Sequence, residues 1–173
     1  FAFVHGYRGA RMLRPAVTHG PYLSTAYAAL RPVPRLERWL PNWVFEFQFE
    51  THIHGLGYSL VQVTVPRLNI QARLWVLPTS IDRERITLHL AASLKTLEPA
   101  RINPALALFP PRLLTRLTAG LLFRSFVHDT RQDFPIWQHK KYISPPALAE
   151  GDGPVGKYRQ WARQFYALGD ERN

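Results

Sequence analysis

The sequence predicts an α+β domain in which helices pack on one face of an antiparallel sheet. Four segments between Trp43 and Leu94 alternate apolar with polar residues, which is the period of half-buried strands. Only short connections separate these segments, so consecutive strands are expected to pair as antiparallel neighbours. After Pro99 the apolar residues recur at helical spacing instead. Strands followed by helices are typical of the α+β class.

Each strand is predicted from its own pattern. The first forty residues are expected to be irregular, because glycines and prolines interrupt them repeatedly. In the next segment Phe45, Phe47 and Phe49 alternate with polar residues, and we interpret this stripe as core, with a substrate-cavity lining as the alternative. The remaining strands are predicted at 58–65, 69–77 and 85–94.

Two helices are predicted after the strands. The first extends from about Leu113 to Asp133, and Pro135 is expected to kink or end it because proline lacks a backbone N–H. The second begins after the Gly151-Asp152-Gly153 turn, where the next residue is a proline suited to a first helical turn. Its aromatic residues continue to Tyr166.

The composition limits the possible chemistry. The 173 residues fit one domain, 1–173, and 46% hydrophobic residues are enough for a core. The chain has no cysteine, which excludes disulfides, thiolate zinc sites and an iron–sulfur cluster held within this chain. Its apolar runs are shorter than the ~20 residues that span a bilayer, so we expect a soluble chain. We expect a cytoplasmic location, with membrane association of the intact protein left open.

The net charge of +10 raises the possibility of an anionic partner. The basic residues are scattered, however, with no more than two in a row (Lys140 and Lys141), and the sequence contains no nucleic-acid motif. We therefore expect no nucleic-acid partner. An acidic protein partner, or a basic surface that confers solubility, is the preferred interpretation.

The seven histidines direct attention to imidazole and carboxylate metal ligands. Non-haem iron(II) oxygenases hold their metal with two histidines and one carboxylate, which leaves positions open for dioxygen and substrate. The chain begins F-A-F-V-H-G, and residues 132–140 read Q-D-F-P-I-W-Q-H-K. These segments resemble D-x-A-H-F-x-x-x-H-G and Q-D-x-x-I-W-x-x-K of Rieske oxygenases of the 3-ketosteroid 9α-hydroxylase and cholesterol 7-desaturase type.

The resemblance implies two iron ligands in this chain. His5 matches the second histidine of the first motif, whose first histidine would directly precede Phe1. Asp133 matches the aspartate of the second motif. Asp129, one helical turn earlier, is a direct rival, and the Q-D-x-x-I-W context favours Asp133.

Two further segments extend the resemblance from Phe1 to Tyr166. Residues 54–58, H-G-L-G-Y, look like the family's H-G-L-x-Y stretch. The closing segment D-G-P-V/I…R-x-W-x-x-Q-F-Y is matched by D-G-P-V at 152–155 and then by Arg159, Trp161, Gln164, Phe165 and Tyr166. This closing block is the most specific, since several rare residues fall in order.

The family resemblance implies a helix-grip (Bet v 1/START-like) fold, an antiparallel sheet wrapped around a long C-terminal helix with an apolar cavity. The implied cofactors are a mononuclear Fe(II) and a [2Fe–2S] cluster in an N-terminal Rieske domain that this chain lacks. A ferredoxin or flavin reductase would supply electrons to a homotrimer, which would use dioxygen to hydroxylate or desaturate a steroid- or sterol-like substrate. The chain by itself is expected to be inactive.

Other interpretations stay open. His52 and His54 would share one face of a strand and could bind a metal, although pocket lining or a structural role at the sheet edge is preferred. The alternative function is a non-catalytic helix-grip domain that carries a lipid or steroid without iron. A basic interaction module would instead bind an anionic polymer in a salt-dependent way.

Overall fold

The computed structural model describes residues 8–32, 44–82, 84–139, 141, 143–148 and 155–166. The proposed ligand His5 and the D-G-P turn at 152–154 lie outside these residues. None of the helices in the described part of the chain is long and apolar enough to cross a membrane.

In the part of the chain that the structure describes, six strands form one antiparallel sheet in which each strand pairs with the next along the chain. They are β1 (Arg8–His19), β2 (Tyr22–Pro32), β3 (Val44–His54), β4 (Tyr58–Val65), β5 (Ile70–Ser80) and β6 (Ile86–Leu94). The meander predicted from the short connections is confirmed for β3 to β6.

The expectation that the first forty residues are irregular is wrong for β1 and β2, which form a long hairpin at one edge of the sheet. Two glycines of this hairpin adopt a positive φ that its backbone needs. Gly9 has a φ of 57° beside a shift of the pairing register, and Gly20 has a φ of 52° in the hairpin turn. Pro15 lies in the edge strand at another register shift, a place where the missing N–H costs no ladder hydrogen bond.

Three helices follow or flank the last strand: α1 (Pro99–Ile102), α2 (Pro111–Gln138) and α3 (Val155–Ala162). Short 3-10 turns lie at Pro66–Leu68, Pro104–Leu106 and Arg163–Phe165. The helix α2 contains Pro135 and continues to Gln138, so of the two expected outcomes the end at Pro135 is wrong, and the kink stays a prediction. Its length of 28 residues supplies the long helix of a helix-grip fold.

The core lies between one face of the sheet and α2. Phe49 faces Tyr27 on β2 and Val63 on β4, and Val63 in turn faces Ala72 on β5. Leu122 and Phe126 of α2 pack against this cluster. The helix α3 covers the far end of the same face, where Leu23 and Ile53 lie. The α+β, helix-grip prediction is thus confirmed.

Candidate functional site

An apolar cavity of about 720 Å³ lies between the sheet and α2. Such a volume is in the range of pockets that hold small organic molecules, ~300–1,000 Å³. The sheet contributes most of the wall because alternate residues of each strand point towards the helix. The apolar part of that wall comprises Phe45, Phe47, Phe49, Val61, Val63, Val65, Leu68, Ile70, Ala72, Leu74, Val76 and Leu94. The phenylalanine stripe is therefore both core and cavity lining.

Charged groups in the wall of this cavity are few. Among the described residues they are Arg31 of β2 and Asp129 and Asp133 of α2. The two aspartates are four residues apart on the helix and so lie on the same face, one turn from each other. Arg31 lies at the end of β2, and the two aspartates lie in the C-terminal half of α2.

Arg31 forms an ion pair with Asp129. Its Nη1 donates to Oδ2 of Asp129 at 3.1 Å, and its Nη2 donates to Oδ1 at 3.4 Å. Both side chains are about one fifth exposed, so this ion pair is largely shielded from water. Asp129 is thus engaged by a guanidinium, and Asp133 carries a second carboxylate to the cavity wall.

The described residues contain no cluster of three His, Cys, Asp or Glu side chains able to hold a metal ion. Asp133, which the resemblance implies as the carboxylate ligand, lies in the wall of the cavity, and its ligand role stays a prediction. His5, its expected companion, lies outside the described residues, so the convergence of the two ligands stays a prediction.

His52 and His54 do not line this cavity. The strand β3 continues to His54, and the two histidines lie on the face of the sheet opposite the phenylalanine stripe. The Nδ1 of His52 is 2.7 Å from the hydroxyl of Tyr22, and its Nε2 is 3.3 Å from Nε2 of Gln62. His54 packs its ring against Tyr22 with 4.9 Å between centroids. These contacts give both histidines a structural role in the sheet.

The same opposite face has a depression of about 470 Å³. Its side chains include Gln62, Arg73 and Lys95, which suit water and ions better than an apolar molecule. The cavity beneath α2 is therefore the better candidate for an organic ligand.

Two side chains of the closing motif bind the turn of the β1–β2 hairpin, and we call this contact the clamp. The indole N–H of Trp161 donates to the carbonyl of Gly20 at 2.8 Å, and the amide of Gln164 donates to the same oxygen at 3.0 Å. Trp161 is 6% exposed and packs with Leu23. Trp161 and Gln164 thus stabilise the fold, and neither is part of the cavity wall.

Comparison with known sequences places the chain in a family. The 3-ketosteroid 9alpha-hydroxylase C-terminal domain matches residues 1–166, which is nearly the whole chain. The chain belongs to this family. The match includes His5, Asp133 and the closing motif, so the family assigned from the motifs is confirmed.

Individual relatives match over much shorter segments. A cholesterol 7-desaturase from Caenorhabditis elegans is 51% identical over 35 residues, which are 20% of this chain and 8% of that protein. The oxygenase component of a 3-ketosteroid-9-alpha-monooxygenase from Rhodococcus rhodochrous is 54% identical over 35 residues, 20% of this chain and 9% of that protein. A cholesterol 7-desaturase from Xenopus laevis is 47% identical over 36 residues, 21% of this chain and 8% of that protein. The aligned segments thus span less than a tenth of the relatives' length.

Sequence reasoning missed Arg31 as a member of the site. The residue falls in the segment that was expected to be irregular, so nothing assigned it to a strand face. A signal existed in the alternation of side chains along this strand. One face carries Leu23, Thr25, Tyr27, Ala29 and Arg31, and the other carries Ser24, Ala26, Ala28 and Leu30. The alternation places Arg31 on the same face as Tyr27.

Proposed function

We propose that this chain is the iron-binding catalytic domain of a Rieske-type oxygenase that hydroxylates or desaturates a steroid- or sterol-like substrate. The observation that carries the proposal is the position of Asp133, which the family motif marks as a ligand and which lies in the wall of the apolar cavity. The names of the relatives, a cholesterol 7-desaturase and a 3-ketosteroid-9-alpha-monooxygenase, favour a steroid or sterol over other apolar ring compounds.

The donor set suits iron(II). Imidazole and carboxylate are the ligands of the facial triad of non-haem iron oxygenases. In the proposal Asp133 supplies the carboxylate, His5 supplies one imidazole, and a second histidine comes from the sequence before Phe1. When bound, iron(II) supplies the activation of dioxygen.

The chain's own residues bind and orient the substrate. The apolar wall removes a ring compound from water, which contributes roughly 25 cal/mol for each Å² of apolar surface buried. Phe47, Phe49 and Val63 offer flat and branched surfaces on the sheet side. The charged groups at Arg31, Asp129 and Asp133 mark the polar part of the wall, and a substrate bound with its reacting carbon near Asp133 would lie along the apolar part.

The electron supply must come from outside these 173 residues, because a [2Fe–2S] cluster needs cysteine ligands and the chain has none. We propose an N-terminal Rieske domain for the cluster, with a ferredoxin or flavin reductase as the donor. The name of one relative, an oxygenase component, supports a separate reductase. Assembly as a homotrimer is proposed on the family resemblance.

The test compares two isosteric variants in the full-length protein. Asp133→Asn should lose bound iron and product formation, while a 3-ketosteroid or sterol still binds within about tenfold, or ~1.4 kcal/mol. Asp129→Asn is the matched control, since it removes a carboxylate from the same helix face and should retain iron. Iron content, circular dichroism and product formed with a competent reductase should be measured on the same samples.

Two results would contradict the proposal. If Asp133→Asn retains both iron and activity, this residue is not the ligand. If the unmodified full-length protein binds the steroid tightly but forms no oxidised product and holds no iron, the domain is a carrier. The carrier alternative shares the apolar cavity, so only iron content and product separate the two functions.

A further inference from the structure

A set of large apolar side chains on α2 and the loop before it faces solvent. Leu108 is 95% exposed, and Phe109 is 48% exposed. On α2 the exposed fractions are 48% for Leu113, 56% for Leu117 and 67% for Leu121. These three leucines are spaced four residues apart, so they form one stripe along the helix. We call these five residues the leucine face.

The leucine face lies in an unusually basic segment. Between Glu98 and Asp129 the chain has four arginines and no acidic residue. Arg112, Arg116 and Arg124 are exposed on α2. With about 3.6 residues per turn, Arg124 falls among the three leucines, Arg116 borders Leu113, and Arg112 lies further round the helix. A solvent-facing helix of a soluble domain ordinarily carries polar residues of both signs on its outer side. The exposed residues of α2 from Leu113 to Arg124 are leucine, arginine, glycine and phenylalanine, and none is acidic.

We propose that the leucine face docks on the surface of an anionic lipid bilayer. Leucine and phenylalanine on one side of a helix, flanked by arginine, is the pattern of elements that lie in the plane of a membrane interface. The complete lack of acidic residues over 99–128 complements the negative charge of anionic headgroups. Leu108, in the loop before α2, is almost fully exposed, so its side chain is available to enter the interface.

The docking surface adjoins the cavity. Leu121 lines the cavity although it is two-thirds exposed, so it lies at the rim. An apolar ligand dissolved in the bilayer would therefore enter the cavity beside Leu121 without crossing water. This second step rests on the proposed function, because it takes the ligand to be a steroid or sterol. The docking itself does not depend on that function.

The absence of cysteine allows a direct test, because one introduced thiol is unique in the chain. Leu108→Cys and Leu117→Cys would each be labelled with a polarity-sensitive fluorophore. Vesicles of phosphatidylcholine with about one third phosphatidylglycerol should shift the emission to the blue, and vesicles of phosphatidylcholine alone should shift it much less. Ile81→Cys is the control, since Ile81 is 60% exposed in the turn after β5 and should give no shift.

Vesicle flotation measures the contributions of charge and of apolar contact separately. Replacing Arg112 and Arg116 together by Gln should weaken partitioning about thirtyfold, since each basic residue near an anionic surface contributes about fivefold. Replacing Leu108 and Leu117 together by Ser should weaken it by about tenfold or more. Ile81→Ser and the exposed Arg163→Gln are the matched controls and should leave partitioning unchanged.

Three results would overturn the proposal. The first is failure of the unmodified chain to float with anionic vesicles. The second is a change of molecular mass in light scattering when Leu117 becomes Ser, without vesicle binding, which would make the face an interface between copies. The third is a thiol at Leu117→Cys that reacts far more slowly than that at Ile81→Cys, which would mean that another segment of the chain covers it. Loss of iron or of turnover affects none of these three measurements. The membrane-docking proposal can therefore fail while the proposed function holds, and the reverse.

Discussion

Arg31 of β2 and Asp129 of α2 pair through two hydrogen bonds across the cavity, with Nη1 to Oδ2 at 3.1 Å and Nη2 to Oδ1 at 3.4 Å. The two residues are 98 positions apart in the sequence. Because α2 packs along β6, this pair connects the helix to a strand four positions away in the sheet. The ion pair therefore helps to fix the helix over the cavity, in addition to engaging Asp129.

The ion pair should contribute measurably to stability. Arg31→Met and Asp129→Asn each remove this largely shielded ion pair, and each should lower the free energy of unfolding by about 1–3 kcal/mol. The double variant should cost less than the sum of the two. Urea unfolding measures all three. Arg11→Met is the control, because Arg11 is 62% exposed in its pair with Glu46 and should change stability by less than about 1 kcal/mol.

The cavity can be filled from its wall without disturbing the opposite face. Val61 lines the cavity, and its neighbour Leu60 points to the other side of the sheet. Val61→Phe should weaken binding of a 3-ketosteroid or sterol about tenfold or more, because the added ring occupies ligand space. Leu60→Phe adds bulk at the next residue and should leave affinity nearly unchanged. Calorimetric titration decides, and equal effects of the two variants would place the binding site elsewhere.

The later strands could be predicted because alternation is uninterrupted in them. Phe45, Phe47 and Phe49 mark one face of β3, and the structure places all three in the cavity wall. The alternation continues beyond the phenylalanine stripe, since β3 extends to His54. The alternation of Thr51 and Ile53 is harder to recognise beside two histidines. His52 contacts the side chains of Tyr22 and Gln62, and His54 packs on the ring of Tyr22.

The first hairpin could not be predicted from alternation. Register shifts in β1 between Arg8 and Arg11, and again between Arg14 and Val17, change which face successive side chains occupy, so the period of two is lost. The strand β2 is rich in alanine, which has little preference for strands. Its pairing with β3 over eleven residues overrides that weak local preference.

The candidate site, too, could be predicted from the sequence only in part. Asp133 was expected from the Q-D-x-x-I-W motif, and it lies in the cavity wall. The motif has no information on Arg31, because the contact with Asp129 forms only when β2 and α2 fold together. A pair 98 residues apart leaves no local pattern. The ligand role of His5 stays a prediction.

The turn between β5 and β6 depends on an ionised Asp82. Its Oδ2 accepts from Nε of Arg85 at 2.7 Å, and its Oδ1 accepts from the backbone N–H groups of Glu84 and Arg85 at 2.9 and 2.8 Å. The Arg85 side chain first, and the backbone donors next, hold the pKa of Asp82 below its ordinary value of 3.8. A lowered pKa means that this contribution to stability is fully present above pH 3.8 and is lost as the pH falls through the lower, folded value.

Asp82→Ala should therefore lower the melting temperature at neutral pH, and the difference from the unmodified protein should shrink below a pH of about 4. Glu84→Ala is the control, because only the backbone of Glu84 takes part in the turn. Thermal scans over a pH series test this prediction. A difference that grows towards acid pH would contradict it.

The clamp formed by the closing motif should be structural. Trp161→Ala removes a large side chain that is 6% exposed, together with one of the donors to the Gly20 carbonyl, and should cost about 3–5 kcal/mol of unfolding free energy. Tyr166→Ala changes an aromatic residue of the same motif that is 58% exposed, and should cost less than about 0.5 kcal/mol. Urea unfolding compares the two.

The clamp lies outside the cavity wall, and this separates a structural role from a binding role. Under conditions where Trp161→Ala remains folded by circular dichroism, its affinity for a steroid should equal that of the unmodified chain. Gln164→Ala should behave in the same direction with a smaller cost, about 1 kcal/mol, because Trp161 still donates to Gly20. The contradicting result is weaker ligand binding by a well-folded Trp161→Ala protein while Tyr166→Ala binds the ligand normally. That result would mean that the motif takes part in the cavity, which its contacts with Leu23 and Gly20 do not suggest.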